Sequence, residues 1–263
     1  FDNIYGVDLD VSAVKLASIN VLLKFPLVDK TPNIFCLDAL NSFANEDVFC
    51  DSNHLLSNID VIATNPPWGA SKNSCNYSKY VDFLGSKEIF SMFIYKSMSL
   101  LSENGKASFI LPVSFLNVKS HSVIRKYLTS NFSIISIDLL DRAFTGVFTK
   151  VIRLVISNII ISNNTASISF LDNTQYKIPQ SRFLYNESTV FDVNINNNDN
   201  LILSKVFKTK HFLLKDNAKW ALGIVTGNNK LHILDSSLVN TEPIYKGSCV
   251  TPFQLKENQY FVK

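Results

Sequence analysis

The tetrapeptide Asn65-Pro66-Pro67-Trp68 directly follows Asn58 to Thr64, an apolar run with the composition of a buried strand. Two prolines cannot continue a central strand, so the backbone must leave the sheet here with fixed φ and without N–H groups to donate. The turn then displays two acceptors, the Asn65 side-chain oxygen and the Pro66 carbonyl. Together they can bind both hydrogens of one –NH2 group and leave its lone pair free to attack an electrophile. Trp68 adds a flat face on which a planar amide or base can stack, worth about 1–3 kcal/mol per base. A strand-to-loop turn with an aromatic plug is the plainer alternative. The coincidence of strand, Asn, two Pro and an aromatic favours chemistry.

The elements that must position this turn follow from periodicity. Asn3 to Asp8 is a short apolar run ending in an acid, and Asp10-Val11-Ser12 leads into Ala13, Leu16, Ile19 and Leu23, a helix closed before Pro26. Ile34 to Leu37 is a second strand ending in Asp38, and Ile59 to Ala63 a third, running into the Asn-Pro-Pro-Trp turn. Phe90, Ile94, Met98 and Leu101 repeat at helical spacing, with Asn104-Gly105 expected as the left-handed stop. Ala107 to Leu111 is the next strand, then a helix from His121 to Leu128, a strand from Ile134 to Leu139, a late antiparallel strand from Val147 to Ile156 and a strand pair within Ile160 to Leu171. Strands alternating with helices imply an α/β fold, Rossmann-like and doubly wound around a mostly parallel sheet. Ligands in that architecture sit outside the carboxyl ends of the strands, so Asp8, Asp38 and Asn65 should face one crevice.

At 263 residues, with 46% hydrophobic and 18% charged residues, the chain can bury a sizeable core, and disordered or collagen-like classes are excluded. The net charge of +3 is unevenly spread: residues 1–150 carry 13 basic against 14 acidic side chains, residues 151–263 carry 12 against 8. Six lysines and one acid between Lys205 and Lys230 make either a phosphate-facing surface or a solvated lysine face. Cysteines at 36, 50, 75 and 249 have no metal-ligand spacing, so no metal site is expected and reduced thiols in a cytoplasmic protein fit. Val151 to Ile161 is interrupted by polar residues and falls short of the ~20 needed to span a bilayer, so no membrane partner is expected. The Asn-rich stretch 194–200 marks a boundary between a domain at 1–195 and a second at 196–263.

In these residues the sequence resembles the gamma-type adenine-N6 DNA methyltransferases of restriction-modification systems, type IIG-like, over residues 4–160. Tyr5-Gly6-Val7-Asp8-Leu9-Asp10 resembles the segment that grips the ribose of S-adenosylmethionine, and Cys36-Leu37-Asp38-Ala39-Leu40 the segment that reads the cofactor's adenine amino group. Phe93-Ile94-Tyr95 with Gly105-Lys106 and Phe109 to Pro112 is similar to the family's helix and fifth strand. Phe144 to Thr149 resembles the segment whose aromatic faces the flipped base opposite the catalytic aromatic. Ala221 to Lys230 is similar to the Gly-x-x-Thr-Gly-x-Asn stretch that opens a target-recognition domain, with Leu231-His232-Ile233 where an aromatic usually follows.

The resemblance implies a class I S-adenosylmethionine-dependent methyltransferase domain followed by the start of a recognition domain. Its implied catalytic residues are Asn65, Pro66, Pro67 and Trp68. Asp8, Leu9, Asp38, Ala39, Asn65 and Phe93 would bind S-adenosylmethionine, and Trp68, Phe144, Lys219, Thr226 and Lys230 the target base or double-stranded DNA. A restriction nuclease or a specificity domain or subunit is the further partner. Charge alone supports some of these roles: a carboxylate after a strand can accept from both ribose hydroxyls, although Asp8 also suits a helix start, Asp38 a plain turn, Phe93 the core and the 221–230 stretch a Gly-rich hairpin. No Gly-rich strand-to-helix turn precedes Asp8, and the chain opens without Met, so a fragment that binds cofactor poorly by itself is expected, its sheet lacking a central first strand. Two other readings stay open: a methyltransferase acting on a glutamine amide or RNA base, and a non-catalytic DNA-binding relic.

Overall fold

A computed structural model describes residues 3–25, 30–42, 58–69, 77–141, 149–212, 214–219, 221, 223–257 and 260–263. Among them the chain opens with β1 (Tyr5–Asp8), α1 (Val11–Lys24), β2 (Asn33–Cys36) and α2 (Ala39–Ser42). Asp10 caps α1 by accepting the Ser12 N–H at 2.7 Å, and β1 pairs with β2 in parallel. β3 (Ile59–Thr64), α3 (Ser78–Leu84), α4 (Ile89–Leu100), β4 (Leu101–Pro112), α5 (Ser122–Asn131) and β5 (Ser133–Leu140) follow. β6 (Val151–Ser157), β7 (Thr165–Ser169), β8 (Gln175–Pro179) and α6 (Asn197–Lys208) complete this part.

The sheet is mixed and lies in two pieces. β1 and β2 form one; the other runs β3-β4-β6-β5-β7-β8, with β3–β4 and β5–β7 parallel and β6 antiparallel to both its neighbours. β1 and β3 are not hydrogen-bonded to each other, and each has one edge without a strand partner among the described residues. Val61 on β3 and Leu16, Ile19 and Leu23 on α1 are correspondingly exposed, and α1 buries no residue.

The core lies between the large sheet and its helices. Phe90, Met92, Ile94 and Met98 of α4 and Ile124 and Leu128 of α5 are buried with Ala107, Phe109 and Leu111 of β4 and Ile152, Leu154 and Ile156 of β6. Wholly buried Arg125 donates to the carbonyl oxygens of Phe115, Val118, Ser188 and Thr189, a set that compensates its charge and holds two residues in the left-handed region. Beside it His121, 3% exposed, packs against Phe90 and Phe115, and its Nδ1 has no partner among the described residues. Burial, then the Arg125 charge, lowers its pKa to about 4.

Two expectations are corrected. Asn104-Gly105 does not end α4: the helix stops at Leu100, Leu101 is already extended, and Gly105 lies inside β4 without positive φ. Its role is close approach, because a Cβ there would meet the Ile59 carbonyl oxygen at 2.8 Å. The left-handed glycine cap is instead Gly85, at the end of α3. Residues 160–171 hold one strand, β7, rather than a pair; its hairpin partner is β8, reached through a turn in which Asp172 accepts the Thr174 N–H and Asn173 has φ +64°.

The chain divides between Val206 and Phe207 into two units, within α6 and beyond the Asn-rich stretch, where Asn196 accepts from the N–H groups of Asn198 and Asp199. The second unit contains α7 (Leu214–Asn217), α8 (Asn229–His232), β9 (Ile233–Leu234), β10 (Glu242–Ile244), β11 (Val250–Thr251), β12 (Gln254–Leu255) and β13 (Tyr260–Val262). Its strands form an antiparallel sheet in the order β10-β13-β9 and a β11–β12 hairpin. It carries eight lysines against four acids, whereas residues 1–206 carry 17 basic against 18 acidic side chains.

Candidate active site

β3 ends where its prolines require. Thr64 is the last paired residue, and the backbone turns out through Asn65 and Pro66. A cleft of about 390 Å³ opens there, lined by Asp8, Leu9, Asp38, Ala39, Asn65, Pro66, Pro67 and Phe93, together with Val7, Leu37, Leu40, Thr64 and Ile89. The carboxyl ends of β1, β2 and β3 therefore meet in one place, although two separate pieces of sheet supply them. This size lies in the range of small-molecule sites, and a few polar groups converge among apolar walls.

Each lining residue is held locally. Asp8 is exposed, and its Oδ1 accepts the Asp10 N–H at 2.8 Å; Leu9 is 65% exposed at the rim. Asp38 Oδ1 accepts the Leu40 N–H at 3.1 Å, and its Oδ2 accepts the Tyr77 hydroxyl. Phe93, half-buried on α4, packs against the core and also lines the cleft, so packing and lining coexist in one ring. The Asn65 side chain is exposed and makes no hydrogen bond among the described residues, while Pro66 is buried.

Trp68 stands outside the lining. Its ring packs against the core, and its indole Nε1 donates to the Ile110 carbonyl oxygen of β4 at 3.2 Å. Phe144 lies outside the described residues. In the second unit Lys219 and Lys230 are exposed, and the Thr226 hydroxyl donates to Asn229 Oδ1 at 2.6 Å just before α8. Residues 223–228 are irregular, with a bend at Gly227, whose φ is +70°.

Two residues that the motif reading missed touch the site. Tyr77 and Tyr80, both buried, bond Asp38 and the Leu40 carbonyl oxygen from across the chain. Their signal was Tyr-x-x-Tyr spacing, which puts two rings on one helical face shortly after the prolines.

The acceptor set suits S-adenosylmethionine: one carboxylate at the rim for a diol, a second for an amino group, and Leu9, Ile89 and Phe93 as apolar walls for a purine. Among the described residues no group of three His, Cys, Asp or Glu could hold a metal ion, and no helix is long and apolar enough to cross a membrane.

The α/β architecture is that of the class I S-adenosylmethionine-dependent methyltransferases of restriction-modification systems. Two solved structures share it: a nuclease-deletion mutant of the Type ISP enzyme LlaGI in complex with a DNA substrate mimic (TM-score 0.57, 13% identity, covering 74% of this chain and 21% of that one), and the type I restriction-modification methyltransferase subunit from Streptococcus thermophilus (TM-score 0.51, 15% identity, covering 80% and 42%). The chain belongs to the Eco57I restriction-modification methylase family, whose model matches residues 2–144. It is 29% identical over 252 residues to the Type II methyltransferase M.VspI of Vibrio sp. (strain 343), covering 95% of this chain and 59% of that protein. The chain thus spans less than two thirds of that relative.

Proposed function

We propose that the protein carrying this chain transfers a methyl group from S-adenosylmethionine to the N6 amino group of an adenine flipped out of double-stranded DNA. The observation that carries the reading is the meeting of the Asn65-Pro66-Pro67 turn with Asp8 and Asp38 in one cleft. When bound, S-adenosylmethionine supplies an electrophilic methyl group on a sulfonium.

Asp8 accepts from the ribose hydroxyls, Asp38 accepts from the cofactor's purine amino group, and Leu9 and Phe93 flank its ring. The Asn65 side-chain oxygen and the Pro66 carbonyl each accept one hydrogen of the target amino group and hold its lone pair toward the methyl group. This is catalysis by proximity and orientation. The nitrogen sheds its extra proton after attack, so no side chain need be a strong base. In this reading Trp68 and Phe144 stack on the extruded base and offset the ~2–4 kcal/mol that flipping costs.

Lys219, Thr226 and Lys230 contact DNA in this reading, and the lysine excess of the second unit supplies phosphate neutralisation. The LlaGI structure, solved with a DNA substrate mimic, supports that partner by analogy of fold. A restriction nuclease or specificity domain or subunit accompanies the activity. The free thiols of Cys36 and Cys249 suit a reducing, cytoplasmic setting.

The test is Asn65→Ala in the natural protein, with methyl incorporation into duplex DNA and nucleoside analysis of the product. Wild type should yield N6-methyladenine, and the variant should lose transfer at least about a hundredfold while cofactor affinity stays within about threefold. More than a tenth of wild-type transfer would contradict the reading.

A further inference from the structure

Asp38 accepts from a donor two residues away and from another 39 residues away. The Leu40 N–H, at 3.1 Å, occupies Oδ1 and closes the first turn of α2, and the Tyr77 hydroxyl occupies Oδ2. Three residues further on, the Tyr80 hydroxyl donates to the Leu40 carbonyl oxygen at 3.1 Å. Tyr77 and Tyr80 are 2% and 4% exposed. Burial foremost, then the charges of Tyr95, Asp38 and Tyr77, raises the Tyr80 pKa, so this phenol remains a protonated donor. The helix that begins beyond the Asn65–Trp68 turn thus grips the β2–α2 turn with two buried phenols.

An ionised carboxylate offers about four acceptor positions. The Leu40 N–H and the Tyr77 hydroxyl meet this one in fixed places, so the direction of its other positions is fixed as well. Without the phenol, Asp38 would lose the hydroxyl donor that orients Oδ2. We propose that Tyr77 is a positioning residue for cofactor selection: its hydroxyl orients the Asp38 carboxylate so that the remaining acceptor sites choose a purine bearing a 6-amino group over one lacking it. The proposal rests on the reading of Asp38 given above and adds the residue that makes that carboxylate selective.

The experiment is calorimetric titration of the natural protein with S-adenosylhomocysteine and with its 6-deamino purine analogue. Tyr77→Phe, Asp38→Asn, the double variant and Tyr80→Phe are compared with wild type. Tyr77→Phe should lower the preference for the amino purine at least about fivefold, raise the cofactor KM, and leave affinity for the analogue and kcat within about twofold. It should add nothing on top of Asp38→Asn. Tyr80→Phe, which removes an equally buried hydroxyl not bonded to Asp38, should leave the preference intact.

Tyr77→Phe with an unchanged preference, or with both ligands weakened equally, would overturn the proposal while a loss of preference in Asp38→Asn upheld the underlying reading. A change in Tyr80→Phe as large as in Tyr77→Phe would also overturn it, because the effect would then belong to the turn as a whole. If wild type fails to discriminate and Asp38→Asn changes nothing, the reading of Asp38 fails and the proposal with it.

Discussion

The indole nitrogen of Trp68 donates to the carbonyl oxygen of Ile110 across 42 positions of sequence, so the aromatic that follows the two prolines is tied to the carboxyl-terminal end of β4. A ring so tethered has one orientation and loses little freedom on meeting a second planar group.

Trp68→Phe tests that tether. It keeps a ring and removes the donor, so unfolding free energy should fall by about 1 kcal/mol and methyl transfer by about tenfold, as the ring loses its fixed tilt. Trp68→Ala, which also loses stacking, should weaken binding of the target base by a further ~1–3 kcal/mol. Urea melts and single-turnover kinetics measure both effects. Wild-type behaviour in Trp68→Phe would remove the tether from the mechanism.

The His121 imidazole carries a pH signature. Its pKa is lowered to about 4 in the folded chain, against about 6.5 unfolded. The unfolded state therefore binds more protons between these values, and stability falls as pH drops through that window. About 2 kcal/mol should be lost between about pH 7 and about pH 5, and His121→Phe should remove most of that slope. Equal slopes in denaturant titrations of the two proteins would contradict this account.

Gly105→Ala should destabilise the large sheet. The added Cβ would lie 2.8 Å from the Ile59 carbonyl oxygen and 3.0 Å from that of Ser102, both backbone atoms with little room to move. A cost of about 1–3 kcal/mol is expected from such overpacking. A melting temperature equal to wild type would show that the Ile59 backbone, where the β3–β4 register shifts, can yield.

Lys219→Ala and Lys230→Ala should weaken DNA binding to a similar degree on any sequence. Each should reduce the slope of log affinity against log salt by about 1 if it meets a phosphate. An unchanged slope in the double variant, read by fluorescence anisotropy across salt concentrations, would exclude both from the contact.

What could be read from the sequence was mostly local. β3 and its exit through Pro66 were legible because a short apolar run and two prolines act over a handful of positions, and the start of α1 after Asp10 was legible for the same reason. The end of α4 was not. Asn104-Gly105 has the chemistry of a helix stop, yet Gly105 is there because the Ile59 backbone passes close by, a contact between elements 46 positions apart that no local pattern encodes. The β7–β8 hairpin was misplaced because Ile160 and Ile161 look like strand, whereas the turn chemistry lies at Asp172-Asn173-Thr174. Within the site, Asp8, Asp38 and Asn65 announced themselves at the ends of strands. Tyr77 did not, since its partner Asp38 is 39 residues away and a buried tyrosine resembles any core aromatic.

The split between the β1–β2 pair and the larger sheet has a mechanical consequence. Among the described residues of this chain, no ladder of backbone hydrogen bonds sets the spacing between the rim that carries Asp8 and the turn that carries Asn65; side-chain joins such as that of Tyr77 to Asp38 span the gap. A small molecule lying across that seam acts as mortar between two courses of masonry. Its binding energy is then also cohesion for the thinly buried β1–α1–β2 segment, about 2.7 kcal/mol when present at about a hundred times its dissociation constant.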